Sequence, residues 1–204
     1  MTSAVLTQHV IEVPITLDQL ERALARVDEM EARLLAKYGR AHLNDSIRAG
    51  YGVFTGLLGE EVVHDFYVQQ WERSMGDDVY HWDLRDLLMG RIDVKTKLQN
   101  YDEVPRDFYN CTVCDANVRQ LCDWYCFARI HKDCERAWLL GFMPKTQFFD
   151  IAAFGRKGDV DLTSHNGWTY KWDCWNAPVS KMIPPPADLA GLRLLAETHA
   201  HENS

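Results

Sequence analysis

Residues 79–98 of the 204-residue chain read VYHWDLRDLLMGRIDVKTKL. Two runs, at 79–88 and 91–98, have the length and the apolar content that are typical of β-strands. Met89 and Gly90 lie between the runs and fit a tight turn. The stretch therefore predicts a β-hairpin.

The second strand of this hairpin carries charge on one face only. Successive side chains of a strand point to opposite faces, so Asp93, Lys95 and Lys97 share one face. Ile92 and Val94 point the other way and would anchor the strand in a core. A charged face on a central strand is costly unless it lines a cleft or binds a ligand. The pattern therefore indicates a functional site.

Asp83, on the first strand, adds a second carboxylate. It precedes Asp93 by ten residues with the turn between them, so the hairpin would bring the two side chains close together. Close carboxylates repel each other, and a hard divalent cation such as Mg²⁺ resolves the repulsion while keeping room for substrate phosphate oxygens. Lys95 beside the cation would position a water molecule or neutralise charge on a phosphate.

Helices flank the hairpin in the N-terminal part. Apolar residues at helical spacing predict a helix over 17–38, which begins after a Thr16–Gln19 capping box and ends at Gly39. A second helix is predicted from 57 to about 73.

Further elements follow from the same reading of periodicity. Residues 5–15 are predicted as an edge strand or a packed arm. Strands are predicted at 122–130, 138–142 and 168–175, with a strand or short helix at 147–154 and a last helix at 187–198. The order predicts an α+β fold in one domain, 1–204. Its parts are a helical region (about 1–76), a hairpin and sheet (about 77–176) and a tail helix.

Composition limits the function classes. The net charge of −8 argues against a passive electrostatic DNA coat protein. The charge is unevenly distributed, with a net charge of −7 over 1–90, +2 over 91–157 and −3 over 158–204. No apolar run reaches membrane-span length, and the first residues lack a signal-peptide pattern. We therefore expect a cytoplasmic protein with reduced cysteines and no membrane partner.

Asp83, Asp93 and Lys95 together resemble the catalytic signature of the PD-(D/E)xK nuclease superfamily, which includes type II restriction enzymes and many phage and recombination nucleases. Residues 56–60, GLLGE, look like the helix that often precedes that hairpin. The resemblance covers 56–97 closely and the later strands only in outline. It implies a restriction-endonuclease-like core, with a mixed central β-sheet flanked by helices.

The resemblance also implies roles for individual residues. Asp83, Asp93 and Glu60 would bind Mg²⁺ or Mn²⁺, with Glu61 as an alternative ligand to Glu60. Lys95 matches the motif lysine and would orient or activate the attacking water. One departure is that Trp82 stands where the family often has proline.

The implied activity is a metal-dependent deoxyribonuclease that hydrolyses DNA phosphodiester bonds through a metal-activated water. Either an endonuclease or an exonuclease would fit, in a bacterial or phage-infected cell, and a homo-oligomer that cuts both strands stays open. Candidates for contact with the DNA phosphates are Lys97, Arg48, Arg119 and Gln120, with Lys145, Arg156 and Lys157 as weaker ones.

Two interpretations from other classes remain open. The first is a non-catalytic nucleic-acid-binding module on the same fold, which would need no metal. The second is a zinc or iron–sulfur protein built on Cys111-x-x-Cys114, with further ligands from Cys122, Cys126, Cys134 or Cys174.

Overall fold

The computed structural model describes residues 10–45, 51–67, 72–73, 81–87, 89–161 and 168–202. The strands in this part are β1 (Ile11–Pro14), β2 (Glu72–Arg73), β3 (Leu84–Asp86), β4 (Gly90–Gln99), β5 (Asn110–Cys114), β6 (Trp124–His131), β7 (Arg136–Pro144), β8 (Ala153–Gly155) and β9 (Cys174–Pro178). The α-helices are α1 (Leu17–Asp45), α2 (Tyr51–Tyr67), α3 (Lys145–Ile151) and α4 (Leu189–Glu202).

The strands form two sheets. The larger has the order β1-β7-β6-β4-β3-β2, and the smaller has the order β5-β9-β8. β4 and β6 pair in parallel, whereas β3 and β7, their outer neighbours, pair antiparallel to them. A parallel pair needs a long crossover connection. Residues 100–123 provide it, and they pass through β5 of the smaller sheet. The predicted α+β class with a mixed sheet is confirmed.

The large sheet is covered on both faces. One face packs against α1, α2 and α4, where Ile92 and Val94 of β4 join the larger apolar core. The other face packs against the smaller sheet and α3, with Tyr125 and Phe127 of β6 in a second core. β4 therefore lies between two layers, and the predicted alternation of its side chains is confirmed.

α2 lies very close to β4 because glycine stands at the crossing. A Cβ atom on Gly59 would come 2.0 Å from Thr96 Oγ1. Leu58 and Val62, on either side of it along the helix, are fully buried. This close approach positions the carboxylates that follow Gly59 against the hairpin.

The predicted boundaries are correct at the start of α1 and differ by a few residues for α4. The predicted end of α1 is wrong, as are both ends of the second helix, which ends at Tyr67, with 72–73 in β2. The capping box forms, because Thr16 N–H donates to Gln19 Oε1 (2.9 Å) and Gln19 N–H donates to Thr16 Oγ1 (3.3 Å). Gly39 does not end α1, since an interior glycine costs a helix only about 1 kcal/mol. α2 begins at Tyr51 despite its glycines, because packing on the sheet outweighs low helix propensity.

The predicted strand boundaries are correct where the alternation of apolar and polar residues coincides with pairing between strands. β6, β7, the edge strand β1 and the tail helix α4 agree with the predictions, and 147–154 divides into α3 and β8. The sequence predicts one strand over 168–175, but β9 begins only at Cys174. The aromatic alternation has another cause, because Trp168 and Tyr170 stack edge-on against each other. The sequence does not predict β2 and β5.

The predicted hairpin is present with a shorter first strand. β3 covers Leu84–Asp86, and part of the predicted 79–88 strand lies outside the described residues. The turn is closed by Asp86, whose Oδ1 accepts a hydrogen bond from Met89 N–H at 3.0 Å. Gly90 follows with a φ of +79°, which favours glycine. Across the described part of the chain, no helix is both long and apolar enough for a membrane span.

Two glycine substitutions in α2 test the close packing on β4. We expect Gly59→Ala to lower the free energy of unfolding by about 1–3 kcal/mol, because the new methyl group collides with Thr96. Gly56→Ala is the matched control, since no atom lies within 4 Å of its new Cβ. We expect that change to stabilise by roughly 0.5–1 kcal/mol through helix propensity. Urea unfolding of both variants measures the difference, and equal effects would contradict the packing.

Candidate active site

Asp83 occupies the point where β4 loses its outer neighbour. Its backbone N–H donates to Ile92 O at 3.0 Å, which continues the β3–β4 pairing by one bond. The next backbone donor of β4, Val94 N–H, has no strand opposite it in the described part of the chain and donates instead to Asp83 Oδ2 at 2.7 Å. The carboxylate is therefore held against the backbone of β4 rather than pointing into solvent.

This position brings Asp83 and Asp93 together. The negative charge of Asp93 acts on Asp83, so the two carboxyls are near neighbours. Burial, followed by the negative charges of Glu60 and Asp93, raises the pKa of Asp83 well above its usual value, and the charge of Lys95 opposes this rise. Asp93 itself is only 1% exposed. The hairpin thus crowds two carboxylates, as the sequence predicts.

Lys95 is the cation nearest to the pair. Its Nζ lies 2.5 Å from Asp93 Oδ2 and donates a longer hydrogen bond, of 3.4 Å, to Gln120 Oε1. Gln120 is held in turn by His81, whose carbonyl accepts from Gln120 Nε2 at 2.8 Å, and by Lys145 Nζ, which donates to Gln120 O at 2.5 Å. The lysine head is thereby fixed between a carboxylate and a carboxamide.

Glu60 and Glu61, at the crossing of α2 over β4, have different surroundings. Glu60 acts on Asp83 through its charge, while its Oε2 lies 2.5 Å from Arg26 Nη2. Glu61 is fully buried and pairs with Arg22 Nε at 2.7 Å and Arg26 Nη1 at 3.0 Å. Both glutamates therefore pair with arginines of α1, and Glu60 also acts on Asp83 through its charge.

The donor set fits a cation held by two protein carboxylates. Asp93 Oδ2 is buried and, apart from its ion pair with Lys95, has no hydrogen bond of ordinary geometry. Among the described residues, no three His, Cys, Asp or Glu side chains converge closely enough to hold a metal ion. Mg²⁺ commonly uses only one or two carboxylates and completes its shell with water and phosphate oxygens. Asp83 and Asp93 match that requirement, with Glu60 nearby.

The candidates for phosphate contact divide into three groups. Gln120 belongs to the site, and Lys97 lines a pocket that also includes Lys95. Arg119 is exposed, and no described contact connects it to the carboxylates. Arg48 lies outside the described residues.

The cysteines of the Cys-x-x-Cys pattern do not form a metal site within the described part of the chain. Cys111 is buried in the core between the sheets, and burial raises the pKa of its thiol to about 12. Cys114 is three residues further along β5 and therefore faces the other way, opposite Cys174 of β9. The side chains of such a pair cannot converge on one ion without rearrangement of the strand.

Two residues near the site are not predicted from the sequence. Tyr125 is the neighbour of Asp93 across the β4–β6 pairing, and its buried hydroxyl has no hydrogen bond of ordinary geometry among the described residues. Arg129 is the neighbour of Lys97 in the same register. The pairing of β4 with β6 cannot be read from the sequence, but one signal for Arg129 was available, since it is a charge inside an otherwise apolar strand.

The arrangement must be interpreted from its own chemistry, because no protein-family model and no curated protein matches the chain. Two crowded carboxylates attract a hard cation. A lysine held beside them adds positive charge where an oxyanion would approach. Together they favour chemistry on a phosphate group.

Asp83→Asn tests the crowding of carboxylates. The raised pKa means that the folded protein binds this proton more tightly than the unfolded chain, so stability is lost as the pH rises through the folded-state pKa. The asparagine side chain does not ionise, so this loss of stability does not occur in the variant. We therefore expect D83N to be more stable than the unaltered protein at neutral pH in EDTA. Chemical unfolding at pH 5 and pH 8 measures the difference.

The same variant tests cation binding. We expect Mg²⁺ or Mn²⁺ to stabilise the unaltered protein, by about 2.7 kcal/mol at a hundred times the dissociation constant, and to leave D83N unchanged. Asp150→Asn, at an exposed position of α3, is the control and should behave as the unaltered protein. Equal stabilisation of D83N and D150N would contradict a site at Asp83.

Lys97→Met tests the second charge on this face. Burial, with the charge of Arg129, lowers the pKa of Lys97 from 10.5 to about 8. Below pH 8 Lys97 is protonated in both the folded and the unfolded chain, so the folded protein bears the full cost of burying the charged ammonium. Between pH 8 and 10.5 only the unfolded chain holds it, and stability rises with pH. We expect K97M to be more stable by roughly 1–3 kcal/mol at pH 7, with the gain shrinking towards pH 10.

Proposed function

We propose that the protein is a Mg²⁺- or Mn²⁺-dependent nuclease that hydrolyses phosphodiester bonds in DNA, with Asp83, Asp93 and Lys95 as its catalytic residues. One observation carries the proposal: the hairpin holds two carboxylates against each other and places a lysine 2.5 Å from one of them. Crowded carboxylates with a perturbed pKa mark functional sites more often than structural ones. The resemblance of these residues to the PD-(D/E)xK signature supports the same activity.

The restriction-endonuclease-like core is part of this proposal. Support comes from the mixed sheet, in which the β3–β4 hairpin adjoins the parallel β4–β6 pair. Further support comes from α2, which crosses β4 and carries Glu60 to the vicinity of Asp83. The crossover between β4 and β6 runs through β5 instead of an α-helix.

In the proposed reaction, Asp83 and Asp93 would hold the cation, and Glu60 adds negative charge nearby. The bound cation would polarise the phosphate and lower the pKa of a coordinated water. Lys95 contributes an ammonium that orients the attacking water or neutralises charge building up on the phosphate oxygens. Gln120 accepts a second hydrogen bond from the Lys95 head and helps to hold it in place.

DNA is the proposed substrate, and the protein is proposed to work in the cytoplasm. The acidic N-terminal part is consistent with this, because several of its carboxylates are paired with Arg22 and Arg26 on α1. The segment 91–157, which carries Lys95 and Lys97, has a positive balance. Charge of that sign favours approach of a phosphate backbone.

Cleavage assays with isosteric variants test the activity. The purified protein is incubated with circular and linear, single- and double-stranded DNA in Mg²⁺, Mn²⁺ or EDTA. We expect cleavage that depends on the cation. Asp93→Asn and Lys95→Met should each reduce the rate by about 10²–10⁴-fold, because each removes a charge that acts directly on the reacting groups.

The control for these assays is Asp150→Asn, which removes a carboxylate from an exposed surface and should cleave at the unaltered rate. Circular dichroism of each variant shows that the fold is kept. Cleavage that persists in EDTA, or D93N and K95M activity equal to that of D150N, would refute the catalytic roles of Asp93 and Lys95. A protein that binds DNA without any cation effect would instead be the non-catalytic module.

A further inference from the structure

A second site lies on the same face of β4, further along the strand from the carboxylates. It is a small, partly open pocket between the two sheets. Its polar lining residues are Lys95, Lys97, Asn110, Thr112 and Arg129. Because Lys95 belongs to both, the pocket is continuous with the candidate active site.

Two positive charges meet in this pocket. Lys97 of β4 and Arg129 of β6 are direct neighbours in the parallel register, so their side chains project from the same face. The guanidinium carbon of Arg129 lies 4.8 Å from the centre of the Tyr109 ring, which fixes the plane of the group. The two cations are therefore held side by side rather than apart.

Neither cation has a carboxylate partner among the described residues. Arg129 Nη2 makes one long hydrogen bond, of 3.4 Å, to Asn110 O, and its buried Nε has no partner. The neighbouring thiol of Cys111 does not supply the missing charge, since burial raises its pKa to about 12 and keeps it neutral. Burial also lowers the pKa of Arg129, and that of Lys97 to about 8.

Such a pair is costly to the folded protein. Two half-buried like charges lose part of their hydration and repel each other, and no carboxylate in the described part of the chain compensates them. Glu61 shows the contrast, because it is fully buried and bonds two arginines. An uncompensated cation pair around a pocket is complementary to an oxyanion, to which arginine and lysine donate strong charge-assisted hydrogen bonds.

We propose that the Lys97–Arg129 pocket binds a phosphate group of a nucleic-acid strand, next to the phosphodiester on which Asp83 and Asp93 act. The identity of the strand rests on the proposed function, whereas the binding of phosphate does not. Lys95 and Lys97 are two residues apart, about 6.6 Å along the strand. This spacing is comparable to that of successive phosphates in a nucleic-acid chain.

The charge of the pocket favours a terminal phosphate over an internal one. A terminal phosphate monoester carries nearly two negative charges at pH 7, because its second pKa is about 6. An internal phosphodiester carries only one. The cation pair therefore matches the end of a strand better than its interior.

The first experiment needs no catalysis. Inorganic phosphate is titrated into the full chain in EDTA at constant ionic strength, and binding is followed by calorimetry. We expect saturable binding that Lys97→Met weakens by about tenfold or more, and that Lys97→Arg retains. Lys181→Met, which removes an exposed lysine, is the control and should bind as the unaltered protein. No binding, or equal binding by K97M and K181M, overturns the pocket.

The second experiment distinguishes the source of the phosphate. Oligonucleotides of one sequence carry a phosphate at the 5′ end, at the 3′ end or at neither end, and their binding to the unaltered protein and to K97M is compared. A loss in K97M confined to one phosphorylated end identifies a terminal site. An equal loss with all three identifies an internal phosphodiester. No loss with any of them overturns the proposed ligand.

The two proposals fail in different ways. If phosphate binding depends on Lys97 but the protein cleaves no DNA, the phosphate-binding pocket is supported and the nuclease activity is refuted. If the protein cleaves DNA with a cation but K97M does not affect phosphate binding, the nuclease activity is supported and the phosphate-binding pocket is refuted.

Discussion

One hydrogen bond, from the backbone N–H of Val94 to the carboxylate of Asp83, fixes the geometry on which the site depends. β3 begins only at Leu84, so the outer edge of β4 would otherwise present an unpaired donor beyond Ile92. A side-chain oxygen fills this place instead of a backbone carbonyl. The carboxylate is consequently turned towards Asp93 and held there. A longer β3 would satisfy the same donor but leave no carboxylate at the edge.

The buried charges of this protein fall into two kinds. Glu61 bonds Arg22 and Arg26, and this network joins α1 to α2 with its charges balanced. Asp83 is crowded by other carboxylates, and the pair of Lys97 and Arg129 lacks an anion among the described residues. Charges of the first kind hold helices together, whereas charges of the second kind reduce stability until a ligand arrives. Both uncompensated groups lie along β4, the strand between the two cores.

This separation also explains how an acidic chain can present a basic cleft. The net charge of −8 is concentrated before residue 91, where Glu60 and Glu61 are taken up by arginines of α1. The segment 91–157 has a balance of +2, and it provides β4, β6 and the polar lining of the pocket. Local charge decides what a site attracts, because screening limits the reach of distant charges to about 10 Å at ordinary ionic strength.

The local features of this protein were determined by its sequence. The capping box of Thr16 and Gln19, the turn at Gly90 and the alternation of Asp93 with its neighbours depend on residues within a few positions of each other, so periodicity and turn chemistry reveal them. The α+β class follows from the order of such elements. The ends of the helices were harder to predict from the sequence, since α1 continues through Gly39 and α2 begins at Tyr51.

The contacts between residues distant in the sequence depend on tertiary packing and could not be predicted from the sequence. The packing of α2 against α1 and β4 paired both Glu60 and Glu61 with Arg26 of α1, and it also placed Glu60 where its charge acts on Asp83. The parallel pairing of β4 with β6 brought Arg129 to Lys97, and the crossover brought Gln120 to Lys95. These contacts depend on the register between strands and on the path of a connection, which are set by the packing of whole layers rather than by any local pattern.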